Sequence, residues 1–206
     1  MEKILMNFGC GIHCPDGYLN VDGSFTVLLA QLPFPAKLFG SRQAYVDAIR
    51  AGHVRYRTAR RLRMKSSTLD GFYASHVLEH MSRADCTSLL SRVRFWLKPT
   101  GVMRIVLPDL RMLANHYVEG RIGADHFVDK MHVSVDGMSS WEMATSHAFH
   151  RWMYDVSSFS AILDSLGYAN VQVRPAAQSA LAEFAELDRL IGREDQSFYV
   201  EAVASR

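Results

Sequence analysis

Apolar and polar positions along the chain sort it into short buried strands and amphipathic helices. Residues 3–8 form an apolar run that ends on Gly9, and Tyr18 to Val21 form another that ends on Asp22. Both read as strands, as do His53 to Arg57 and Gly71 to Ala74, the latter introduced by Asp70. The clearest helix runs from Arg83 to Lys98, where Cys86, Leu89, Leu90, Val93, Trp96 and Leu97 make one apolar face. Ser82 and Asp85 at its start have capping-box-like spacing, and Pro99-Thr100-Gly101 break the chain after it. Val102 to Leu107 is then a strong strand, followed by a helix from about Asp109 to Val118. A further helix spans Ser41, a cap, to Ala51, with Gly52 as its stop. Late in the chain come a helix from Ser157 to Leu166, a strand from Val171 to Arg174, a helix from Ala180 to Ile191 and a strand from Ser197 to Val203.

This alternation predicts an α/β domain, residues 1–206, with a mostly parallel sheet and helices packed on it. Two stretches interrupt the pattern. Gly120 to Trp152 is polar, irregular and rich in His and Met, which predicts a lid-like insertion over about residues 120–155. Phe25 to Phe39 is more apolar than a surface loop should be. It is expected to cover the sheet, with a homodimer contact or a membrane-adjacent patch as the alternatives.

Composition narrows the classes. A formal charge of +2 is too small to argue for a nucleic acid or a membrane surface by bulk electrostatics. The apolar run from Phe25 is interrupted by Gln31, Pro33, Pro35 and Lys37, so no transmembrane segment is expected. Three cysteines, Cys10, Cys14 and Cys86, without framework spacing favour free thiols in a reducing compartment; with no signal-peptide pattern, a soluble cytoplasmic protein is expected.

Three phrases occur in a telling order: Asn7-Phe8-Gly9-Cys10-Gly11, Tyr73-Ala74-Ser75-His76-Val77-Leu78-Glu79-His80, and Leu97 to Ile105 with Lys98-Pro99-Thr100-Gly101 inside it. Together they resemble class I S-adenosylmethionine (SAM)-dependent methyltransferases. The phrases Gly17 to Asp22, Val106 to Leu110 and His150 to Asp155 narrow the likeness. They look like a subgroup of small predicted methyltransferases often associated with surface-polysaccharide biosynthesis. The resemblance implies a Rossmann-like fold with an antiparallel last strand and a first helix shortened or missing, since only residues 12–21 separate Gly11 from Asp22. It also implies SAM as cofactor, S-adenosylhomocysteine as product, and a small-molecule, glycan or nucleotide-sugar acceptor methylated on oxygen or nitrogen.

The implied cofactor set is Asn7, Gly9, Cys10, Gly11, Asp22, Thr58, Ala59, Ser75 and His76. Glycines after a first strand allow close backbone approach, and a carboxylate ending the second can accept both ribose hydroxyls. Asn7 and Thr58 stand where relatives usually carry acids. With the missing helix, they motivate an alternative reading as a non-catalytic binding or scaffold protein.

A hydroxyl acceptor needs a base, and His76, His80, Asp109, His147 and His150 are candidates, with His150 ranked first. Asp109 has a structural alternative as a helix cap, and His150 has one as an anchor for the lid. No metal is expected, because His126, His132, His147 and His150, and Cys10 with His13 and Cys14, match no zinc spacing. The basic run Arg55, Arg57, Arg60, Arg61, Arg63 and Lys65 is either a solvated edge or a contact for an anionic acceptor; RNA is the weaker option without interleaved aromatics.

Overall fold

The computed structural model describes residues 2–35, 43–132 and 149–204. Its centre is a seven-stranded sheet of order β3-β2-β1-β4-β5-β7-β6. The strands are β1 Leu5–Phe8, β2 Tyr18–Asp22, β3 Arg55–Tyr56, β4 Leu69–Ser75, β5 Leu97–Pro108, β6 Tyr168–Val173 and β7 Ser197–Ala204. The pairs from β3 through β5 are parallel, while β7 runs antiparallel to both β5 and β6. The expected mostly parallel sheet with an antiparallel last strand is what forms.

Alternation along β5 explains how both faces are covered. Met103, Ile105 and Leu107 join the larger core cluster, which includes Cys86, Leu89, Leu90 and Val93 of α3 (Arg83–Trp96). Phe159 and Leu163 of α6 (Val156–Ser165) complete that side. Val102 and Val106 face the other way, against Phe184 and Leu187 of α7 (Ala182–Ile191). Arg104 shares that second face and is fully buried. Its guanidinium holds Asp188 and Glu201, and Tyr73 also donates to Asp188 at 2.9 Å.

No helix lies between Gly11 and Tyr18. The chain instead turns through Gly17 at φ 81°. The two elements after β2, α1 (Phe25–Ala30) and α2 (Gln43–Ala51), build a third cluster in which Val27 and Ala30 pack with Val46, Ile49, Val54 and Cys10. Within the described part of the apolar stretch, Val27 and Ala30 are buried while Leu28, Leu32 and Phe34 stay exposed, so it covers the sheet edge only in part. Residues 36–42, including the Ser41 cap, lie outside the described residues.

Besides shifts of a few residues at other element ends, three features differ from the sequence expectation. The α3 helix stops at Trp96, two residues early: Pro99 disfavours helical backbone at Lys98, and Leu97 is already extended and paired with Leu69. The Pro99-Thr100-Gly101 break lies within β5: Leu69 pairs with Leu97, and the next pair is Gly71 with Val102. The expected irregular insertion contains a helix, α5 (Ala124–His132), which stacks Phe127 on Tyr117 of α4 (Leu110–Val118) at 5.0 Å. Its polar sequence hid it, because that contact with α4 supports it. No described helix is long and apolar enough to cross a membrane.

Candidate active site

Parallel sheets bind ligands beyond the carboxyl ends of strands, at the point where strand order reverses. Here that point lies between β1 and β4. After β1 the chain turns through Gly9 at φ 71° and Gly11 at φ 53°. Gly9 has no room for a side chain, since an added Cβ would lie 2.1 Å from Cγ2 of Val77.

Side-chain amides stitch the shortened loop that follows. Asn7 Nδ2 donates to the His13 carbonyl at 2.7 Å and to Asn20 Oδ1 at 3.2 Å, and Asn20 Nδ2 donates to the Pro15 carbonyl at 3.0 Å. This explains why an amide replaces the expected acid. A carboxylate at position 7 would face two acceptors and donate to neither. Asp22 completes the stitching: Oδ2 accepts the Gly11 N–H at 3.0 Å and Oδ1 the Ser24 N–H at 2.7 Å.

A cavity of about 300 Å³ opens over this loop. Of the sequence candidates, Asn7, Gly9, Cys10, Gly11, Ser75 and His76 line it. Asp22, Thr58 and Ala59 do not border it; the Thr58 carbonyl accepts the N–H of Arg61 and Leu62, and Ala59 packs against the main core. Ser75 Oγ, at the end of β4, is buried without a hydrogen-bond partner. Tyr45 and Arg193 are among the wall residues that escaped the sequence reading. Tyr45 of α2 lies over Gly11, its phenol pushed up to about 12 by burial and then by nearby Asp22. Arg193 follows α7 and carries no motif signal at all.

A second cavity of about 660 Å³ lies beside the first, and His76 and Arg193 line both. Its remaining wall includes Asp109, Met112 and His116 of the α4 region, His126 and Lys130 of α5, His150 and Met153. His76 therefore stands at the junction. Its backbone is left-handed at φ 53°, and Nε2 is 2.7 Å from Ser197 Oγ. Burial, then the charge of Arg193, lowers its pKa to about 3. It is neutral at neutral pH and a weak proton acceptor, which suits positioning better than base catalysis.

Asp109 caps α4, with Oδ1 accepting the N–H of Arg111 and Met112. It still borders the larger cavity through its remaining surface. His150 Nδ1 is 3.0 Å from the Lys130 carbonyl, and the ring lies 5.0 Å from that of His80. His80 itself donates from Nδ1 to the Phe149 carbonyl at 3.0 Å. His147 lies outside the described residues.

The phrase around His150 is a clamp. The Arg151 and Trp152 N–H groups both reach the Glu79 carbonyl, at 2.7 and 3.1 Å. Tyr154 bridges to Asp109, and Asp155 caps α6 in a capping box with Ser158. Glu79 beneath is fully buried, and burial raises its carboxyl to about 8. The basic run offers less to a ligand than its sequence implied. Arg60 pairs bidentately with Asp85, and Arg57 and Arg63 donate to backbone carbonyls.

No protein-family model and no curated protein matches the chain. Solved structures do match in fold. A SAM-dependent methyltransferase from Mesorhizobium loti superposes with a TM-score of 0.54 at 16% identity, over 98% of this chain and 90% of that one. One from Archaeoglobus fulgidus gives 0.52 at 16% identity, over 97% and 85%. Phosphoethanolamine N-methyltransferase 2 of Haemonchus contortus, solved with SAM, gives 0.51 at 12% identity, over 100% of this chain and 50% of that one. The chain has the Rossmann-like methyltransferase fold.

Proposed function

We propose that the chain is a SAM-dependent methyltransferase that binds its cofactor along the Gly9–Gly11 loop and its acceptor in the larger cavity. The observation that carries this reading is the junction: two cavities of ligand size share His76 and Arg193, at the reversal point of a methyltransferase fold. The residues present suit the cofactor. The glycine turn allows close backbone approach, and Ser75 Oγ is a buried hydroxyl awaiting a partner. Arg193 supplies positive charge for the methionine carboxylate.

Bound SAM would supply a methyl group on a sulfonium, with neutral sulfur as the leaving group. The chain's own residues hold the acceptor in line with that methyl, and positioning of this kind supplies much of the rate. For a hydroxyl acceptor, His150 Nε2 takes the proton, because Nδ1 faces a carbonyl and carries its hydrogen. Asp109 and Lys130 on the same wall suit a polar acceptor, and the glycan-linked class fits them. Calorimetry of the purified chain with SAM and S-adenosylhomocysteine tests the assignment. Micromolar binding of both is expected, and binding of neither overturns it.

A binding-only reading has one observation in its favour: both carboxylate oxygens of Asp22 already accept backbone N–H groups. Transfer of labelled methyl from SAM to an acceptor in a cell extract, lost in Asp22→Ala, decides against that reading.

A further inference from the structure

We propose that Glu79, His80 and His150 form a binding site for a divalent metal ion of the zinc type, beside the larger cavity. A nitrogen of each imidazole and a carboxylate oxygen of Glu79 lie within 4.8 Å of one another, the one such group among the described residues. Spacing in the sequence could not show it, because the chain brings His150 back from a distant segment onto an adjacent Glu-His pair.

The independent sign of a ligand is Glu79 itself. It is fully buried, and neither carboxylate oxygen has a hydrogen-bond partner. A buried carboxyl with no partner stays protonated, because the unpaired anion is among the costliest groups a core can hold; a bound metal ion is one partner that lets it ionise. The nearest ring nitrogens stand at ion-pair rather than hydrogen-bond distance: His76 Nδ1 at 3.5 Å and His80 Nε2 at 3.9 Å from Oε1. Two ligands on one tetrahedral zinc, each about 2.1 Å from it, stand about 3.4 Å apart. The 3.9 Å gap between His80 and Glu79 is close to that span, and the three ligand atoms, all within 4.8 Å of one another, would have to draw together on the ion to reach it.

Both histidines are oriented for the task. Each uses Nδ1 toward a backbone carbonyl, of Phe149 for His80 and of Lys130 for His150, which puts the lone pair of the neutral ring on Nε2. Metal-ligating histidines are held in this way by second partners. The Arg151 and Trp152 N–H bonds to the Glu79 carbonyl lock the two ligand segments together before any ion arrives. Two imidazoles and one carboxylate favour zinc, cobalt or nickel over calcium and magnesium, which prefer all-oxygen sites. His150 borders the larger cavity, so a fourth position there would be open to a ligand.

The site does not depend on the methyltransferase reading, and its test avoids activity; with an ion bound, His150 Nε2 is a ligand and no longer the base proposed above. Untagged full-length protein, stripped with chelator, is titrated with Zn²⁺ by calorimetry and with Co²⁺ by visible absorption. One ion per chain is expected, with nitrogen and oxygen neighbours by X-ray absorption. Glu79→Gln and His150→Ala should each weaken binding at least tenfold, while His116→Ala, on the same cavity wall, should not. Wild-type affinity in folded Glu79→Gln and His150→Ala, or no stoichiometric binding by the wild type, overturns the proposal. Should Glu79→Gln fail to fold by circular dichroism, the half-buried His150→Ala alone decides.

Discussion

Asp22, at the end of β2, accepts the backbone N–H of Gly11 across the turn at 3.0 Å. One carboxylate thus ties the second strand to the loop after the first. On the proposed function this bond shapes the cofactor seat even though Asp22 stands outside the cavity wall. Asp22→Ala should weaken S-adenosylhomocysteine binding at least tenfold, or about 1.4 kcal/mol, by calorimetry. Asp22→Asn keeps one acceptor oxygen and should fall between. Unchanged affinity in both would remove Asp22 from the cofactor seat.

Asn7→Asp tests the stitched loop. The carboxylate would meet the His13 carbonyl and Asn20 Oδ1, two acceptors that now receive hydrogens. A loss of about 2 kcal/mol is expected in urea unfolding near neutral pH. The loss should shrink in acid, where a protonated carboxyl can donate again. Equal stability of variant and wild type at pH 7 would show that the amide is dispensable.

Gly9→Ala is expected to cost roughly 2 kcal/mol or more, since φ is 71° and Val77 occupies the Cβ position. Adding Val77→Ala relieves the contact but not the backbone strain, so the pair should recover only part of the loss. A double-mutant cycle with no coupling between the two positions would contradict the geometry.

The α6 helix should loosen in acid. The Asp155 carboxyl is held down to about 2, first by the Ser158 N–H and then by the Ser158 hydroxyl. Its folded pKa lies below the unfolded value near 3.8, so its stabilisation is complete above about pH 4 and fades as pH falls toward 2. Asp155 is partly exposed, so the effect is modest, at most that of a helix cap, about 1 kcal/mol. Asp155→Asn should flatten the stability curve between pH 4 and 2; an unchanged slope would assign it to other groups.

The parts of this fold that were legible in the sequence are those where local pattern and tertiary role agree. Val102 to Leu107 is apolar at every position but Arg104, and both its faces are covered, as a near-continuous apolar run requires. Ser82 caps α3 where it should, accepting the Asp85 N–H. The residues that escaped act through partners far away in the chain. Arg104 looks like an outward strand position until Asp188 and Glu201 arrive to bury it. Arg193 has no neighbours that advertise a site, yet it borders both cavities. Glu79 sits in a motif and still reads as a loop residue, because the group it belongs to is complete only when His150 returns to the Glu79-His80 pair.

The clamp around His150 has a consequence for the larger cavity, which His150 borders. Lys130 and His150 meet through a 3.0 Å bond, and the strand of residues beyond is fastened to Glu79 and Asp109. Residues 150–155 thus act as a keystone: they fasten α5, the Glu79 turn, α4 and α6 to one another, so loosening any one of these contacts loosens the wall of the larger cavity as a whole.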